Sequence, residues 1–110
     1  MPAADPPRII SHPQEIKGAV QSKPVAFTVG VMGTKPLTYR WQWKPAEEGS
    51  SQEWQECYAE RFQDASSPKL IISSVQKSVE GSYHCGVSKY ADIQTSKPAN
   101  LCVAKINFLV

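Results

Sequence analysis

Three cysteines, Cys57, Cys85 and Cys102, and the histidine His84 beside the second of them are the residues here that could do chemistry. A thiolate next to a base is a nucleophile, and thiols grouped with an imidazole bind zinc. His84 and Cys85 fall in Gly81-Ser82-Tyr83-His84-Cys85-Gly86-Val87, whose alternation reads as a strand. Successive strand side chains point to opposite faces, so the pair is not a catalytic dyad. Cys57, His84 and Cys102 read as outward on one sheet, the nearest approach to a metal site. A zinc ion needs about four converging ligands, and no Cys-x-x-Cys pair accompanies these three. A surface histidine and scattered thiols are the expectation. Glu47, Glu48, Glu53 and Glu56 lie in and beside a polar loop, without the apolar setting that raises a carboxyl pKa for acid–base work. Gly30 and Gly33 sit at a strand end and a turn rather than before a helix, so they do not cradle a phosphate. The sequence thus predicts no enzyme, no metal and no cofactor.

Composition narrows the partners. A length of 110 residues suits one domain with a real core, and 41% apolar with 20% charged residues is ordinary for a globular chain. A formal net charge of +2 gives no electrostatic reason to expect nucleic acid. No apolar run approaches the roughly 20 residues of a membrane-crossing helix, so membrane insertion is not expected. Nine prolines and six glycines, spread along the chain, favour many short strands joined by turns over helices.

The elements follow in order. Residues 1–7 read as a proline-rich linker, with neither the basic nor the apolar region of a secretory leader. Arg8 to Pro13 is a short edge strand, and Glu15 to Val20 continues it after a kink, on the other sheet. In Lys23 to Val31 the odd positions Val25, Phe27, Val29 and Val31 face inward. A turn at 33–36 leads into Leu37, Tyr39, Trp41 and Trp43, which alternate with Thr38, Arg40 and Gln42 as a half-buried strand. Trp43, near the strand's exit, is expected to be partly exposed. After the acidic loop 45–53, Trp54 to Tyr58 is a weakly specified strand, and 59–67 is irregular. Lys69 to Val75 is a strand with Leu70 and Ile72 inward. Ser82–Ser88 follows, then a tight hairpin at 89–92. The last strand, Thr95 to Val103, turns Ala99, Leu101 and Val103 to one face. Residues 105–110 form an apolar extension: more strand, the start of a neighbouring domain, or a remnant foreign to the domain.

Several of these residues together resemble the immunoglobulin-like domains of the I-set or C2 type, over residues 8–104: Gly33, Trp41, Leu70-x-Ile72, Gly81-x-Tyr83-x-Cys85 and Ala99-x-Leu101-x-Val103. The resemblance implies an all-β sandwich of two antiparallel sheets with about seven to eight strands. It implies a core signature of Val29, Trp41, Leu70, Ile72, Gly81, Tyr83 and Cys85, with Tyr83 as the corner tyrosine bonding back to the backbone. Two departures stand out. Val29 occupies the place of the partner cysteine, so the inter-sheet bridge is not expected, and Cys85 should be a buried free thiol. Val79 stands where the family usually has an aspartate, which leaves Arg61 without its usual partner.

Cys102 points out where Cys85 points in, and Cys57 is expected near the sheet edge, so no disulfide is expected among the three. Loss of the bridge suits a reducing compartment, which predicts a cytoplasmic rather than an extracellular setting. The chain looks like the bridge-less immunoglobulin-like domains of intracellular signalling proteins such as the paracaspase. That resemblance implies a non-catalytic protein–protein interaction module of a multidomain signalling or scaffold protein, with flanking domains in the same chain and an unidentified protein partner. An adhesion or receptor module, or a passive spacer in a tandem array, is the alternative. The surface expected to bind is the sheet face with Arg40, Gln42, His84 and Cys102, or an exposed edge that takes an added strand, with Trp54 and Tyr90 as loop-borne anchors.

Overall fold

The computed structural model describes residues 6–46, 53–57 and 62–104. The expectations for residues 1–5, Glu47 and Glu48, Tyr58, Arg61 and the 105–110 extension lie outside the described residues. Eleven short strands are found among the described residues: β1 (Arg8–Ser11), β2 (Ile16–Ala19), β3 (Val25–Thr28), β4 (Gly30–Met32), β5 (Thr38–Pro45), β6 (Gln55–Glu56), β7 (Phe62–Gln63), β8 (Lys69–Ile72), β9 (Gly81–Lys89), β10 (Asp92–Thr95) and β11 (Ala99–Val103). One sheet has the order β2-β11-β9-β5-β6, with β10 also on β9; the other has the order β3-β8-β7. Strand β4 continues β3 across Val29 and pairs with β1, which extends the second layer. The fold is an all-β immunoglobulin-like sandwich. It counts more strands than expected because two predicted runs are each divided in two and a short strand forms in the stretch read as irregular.

Each interruption has a local cause. The strand through Val25 and Val31 breaks at Val29, whose N–H reaches the Pro68 carbonyl at 3.0 Å. Pro68 has no N–H to return, so the ladder with β8 stops there. The run Lys69–Val75 shortens to Lys69–Ile72, although Val75 stays fully buried. The final strand divides into β10 and β11. From Thr95↔Gly86 to Ala99↔Tyr83 the register shifts, so Ser96, Lys97 and Pro98 stand opposite His84 and Cys85 alone. This is a β-bulge. Ser96 fills it: its N–H donates to the Cys85 carbonyl and its hydroxyl accepts the Cys85 N–H, each at 2.9 Å. The irregular stretch after Ala59 also contains the short strand Phe62–Gln63.

The kink before Glu15 does move the chain between sheets. β1 pairs with β4 in one layer, and β2 runs parallel to β11 in the other. Inside, Trp41 is 1% exposed and its indole N–H donates to the Ser67 carbonyl at 2.9 Å. A buried indole needs such a partner. Tyr83 stacks on Phe27 at 4.9 Å and on Trp43 at 5.7 Å, and its hydroxyl donates to the Val79 carbonyl at the end of a one-turn helix, Lys77–Val79. Trp43 is buried rather than partly exposed, because the edge of Phe62 closes on it at 5.6 Å. Gly81 lies where β9 meets the end of β5, with φ +157, and a Cβ there would run into the Lys44 carbonyl.

Candidate functional site

With Trp41 and Trp43 committed to the core, strand alternation turns Arg40, Gln42 and Lys44 to the outer face of the larger sheet. The same rule on β9, with Tyr83, Cys85 and Val87 buried, turns Ser82, His84, Gly86 and Ser88 outward. Register then decides who meets whom. Gln42 pairs with His84 on one side and with Glu56 on the other, placing three polar side chains in a row across β9, β5 and β6.

These side chains form a relay. The Gln42 amide N–H donates to Glu56 Oε2 at 2.7 Å, and the Arg40 guanidinium donates to Glu56 Oε1. With its nitrogen committed to the carboxylate, Gln42 presents its oxygen to His84 Nε2 at 2.9 Å. His84 therefore carries a proton on Nε2. Trp54 lies over the relay, stacked on the His84 ring at 3.7 Å and 20°, with Lys44 Nζ at 4.9 Å from the indole centroid. The result is a half-buried aromatic plate held by an imidazole and an ammonium on a polar, hydrogen-bonded floor.

The electrostatics follow from this geometry. Hydrogen bonding by Arg40 holds the Glu56 carboxyl below the usual range, outweighing burial, with Gln42 adding to the same direction. Burial lowers the His84 pKa first, and Lys44 lowers it further against the pull of Glu56. At neutral pH Glu56 is ionised and His84 neutral. Burial pushes the Cys57 thiol up to about 12 and that of Cys85 up to about 11. Both stay protonated near pH 7 and pack as small apolar groups rather than nucleophiles.

The structure sorts the sequence-predicted residues into three places. Arg40, Gln42, Trp54 and His84 come together. Tyr90 stands apart, 88% exposed at the β9–β10 turn, with Lys89 Nζ 5.1 Å from its ring and bonded to the Pro36 carbonyl. Along an extended strand it lies roughly 20 Å from His84. Cys102 is exposed on β11, next to a separate polar group in which Asn100 bonds Ser82 at 2.6 Å and Glu15 at 3.4 Å. Cys57 corrects its expectation: it is buried, its N–H donating to the Trp41 carbonyl at 3.3 Å. The alternation that sends Glu56 out sends Cys57 in, so the imagined grouping of Cys57 with His84 and Cys102 does not form. No cluster of three or more His, Cys, Asp or Glu converges among the described residues.

Sequence reasoning missed Lys44 and Glu56 as members of the site. Lys44 was legible as the next outward position of β5. Glu56 was not, since its contact depends on the register of a two-residue strand beyond a loop. Beside the Arg40–Glu56 pair, a cleft of about 230 Å³ runs between Tyr39, Cys57 and the Ala65–Ser66 turn.

Comparison with known proteins agrees with this architecture. Solved structures that resemble the chain include an I-band fragment of titin (22% identity, TM-score 0.69, 92% of this chain and 33% of that one). Others are the extracellular domains 3–5 of Drosophila OTK (20%, 0.67, 93% and 33%) and a Dscam structure (20%, 0.73, 92% and 25%). The chain thus spans a third or less of each of these proteins. No sequence among curated proteins matches it. Among the described residues no helix is long and apolar enough to cross a membrane. The sequence profile of the immunoglobulin domain matches residues 6–88, three quarters of the chain, and the chain belongs to that family.

Proposed function

We propose that this domain is a non-catalytic protein-interaction module, of the I-set or C2 type, working inside a larger multidomain signalling or scaffold protein. Residues 8–104 are the domain in this reading, with 1–7 and 105–110 as connectors to flanking domains. The contact surface is the outer face of the larger sheet, centred on Trp54. One observation supports this most: an indole is stacked on His84 at 3.7 Å, outside the core, and its floor is fixed by the relay to Arg40. Tryptophan and arginine dominate interface hot spots, and a side chain ordered before binding loses less entropy on contact. Val29 in place of the bridging cysteine, with all three thiols free, supports a cytoplasmic setting.

A second reading is an adhesion or spacer domain in a tandem array, favoured by the multidomain titin, Dscam and OTK structures that it resembles. Co-purification of the full-length parent separates the two. Trp54→Ala should abolish association with a partner protein, while Lys69→Ala, exposed on the opposite sheet, should leave it intact. Equal association of both variants and the wild type would favour the spacer.

A further inference from the structure

The larger sheet leaves one edge open. Strand β9 has β5 on one side; on the other, β11 lies along its first half and β10 along its second. Strand β2 covers β11, but the chain ahead of Ile16 crosses to the other layer, and no strand among the described residues pairs with the far side of β10. The ladder itself tells which groups face that side. The Ser96 N–H reaches the Cys85 carbonyl, so Ser96, Gln94 and Asp92 turn their backbone groups to β9. Ile93 and Thr95 therefore turn theirs away: two N–H and two C=O groups, none of them hydrogen-bonded among the described residues.

Edges elsewhere are blunted. Strands β6 and β7 have two residues each, β2 carries Gly18 at φ +71, and on β1 the Ile9 N–H is capped by Gln94 Oε1 at 2.9 Å. Strand β10 has neither proline nor lysine, all four of its residues are exposed, and Ile93 is 69% exposed. The bond from Ile9 anchors β10 to the other layer and leaves its outer edge clear.

We propose that this edge pairs with β10 of a second copy of the chain, antiparallel about a two-fold axis through Gln94. In that register Ile93 stands opposite Thr95 of the second copy, and Thr95 opposite its Ile93. Four backbone hydrogen bonds form, and every open group of both edges is used. Ile93 and Thr95 also meet as a β-branched pair on the outer face. Charge selects the same direction. Asp92 begins the strand and Lys97 follows it, so antiparallel pairing brings each aspartate close to the lysine of the other copy. Parallel pairing would set like charges together. The two larger sheets then run on as one, with both outer faces on the same side.

Sedimentation of the intact chain in reducing buffer, with Ile93→Pro beside wild type, tests the pairing. The Ile93 N–H bonds nothing in the single copy, so proline removes a contact of the dimer and spares the ladder to β9. Wild type should pass from monomer to dimer as concentration rises. The variant should associate about tenfold more weakly or worse, through the loss of two hydrogen bonds. Wild type monomeric at every concentration overturns the proposal and leaves the edge to a strand of another protein. A dimer of unchanged strength in Ile93→Pro overturns it as well, since the contact then lies elsewhere. Should the variant fail to fold, amide exchange of wild type decides: protection of Ile93 and Thr95 that rises with concentration supports the pairing, and equal exchange throughout overturns it.

Discussion

Strand β5 has two sides that obey different rules. Inward, Trp41 and Trp43 sit among Phe27, Phe62 and Tyr83, where apolar burial and ring contacts decide the arrangement. Outward, Arg40, Gln42 and Lys44 form hydrogen bonds and ring contacts with residues on β6 and β9 and with Trp54. The inner side is set by a period of two along one strand. The outer side is set by the register between three strands. The inner side therefore carries stability, and the outer side is the face on which the proposed contact would lie.

The sharpest break in that comparison is a pair of tryptophan deletions. Trp41→Ala removes a fully buried ring and its bond to Ser67, and should cost about 3–5 kcal/mol in a denaturant titration. Trp54→Ala takes away a half-buried ring from the outer face. It should cost less than about 1 kcal/mol while removing binding, and a loss as large as that of Trp41 would merge the two sides into one core.

Next in size is Val29→Cys. Both Val29 and Cys85 are core residues, and an oxidised bridge between the layers should add about 2–4 kcal/mol, lost again on reduction. Two unreacted buried thiols after oxidation would show that the inner faces of β3 and β9 are not apposed. Tyr83→Phe keeps the stacking on Phe27 and Trp43 but strips the Val79 carbonyl of its donor. A loss of about 1–3 kcal/mol is expected, and no loss would remove the corner hydroxyl from the list of stabilising contacts.

The smallest effect belongs to the outer relay. His84 and Glu56 both titrate below their ordinary values of 6.5 and 4.5 in the folded state. The unfolded chain then takes up protons first, so stability falls as pH drops, beginning below 6.5 for His84 and below 4.5 for Glu56. Thermal midpoints measured from pH 7 down to 4 should decline. His84→Phe, which keeps a ring under Trp54, should flatten the upper part of that decline; an unchanged slope would contradict the relay.

How much was legible follows the same division. Alternation in Leu37–Trp43 and in Gly81–Val87 was enough for the sheet, for the inward tryptophan and tyrosine, and for Arg40, Gln42 and His84 on one outer face. The move of residues 15–20 to the other sheet was also legible, from the proline before it. What alternation alone could not supply was pairing. The break at Val29 depends on a proline lying opposite, and the bulge at Ser96–Pro98 on one extra residue against β9. The facing of Cys57 and the reach of Glu56 to Arg40 depend on where β6 begins. Trp43 was misread for a related reason, since Phe62, the ring that covers it, sits in a stretch without visible periodicity.

Oxidative footprinting of Trp54 in the full-length protein, alone and within its assembly, tests the outer face most directly. Assembly should shield Trp54 from labelling while residues on the outer side of β3 and β8 react as before. Trp54 labelled equally in both states, with the β3–β8 side shielded instead, would place recognition on the opposite sheet and contradict it.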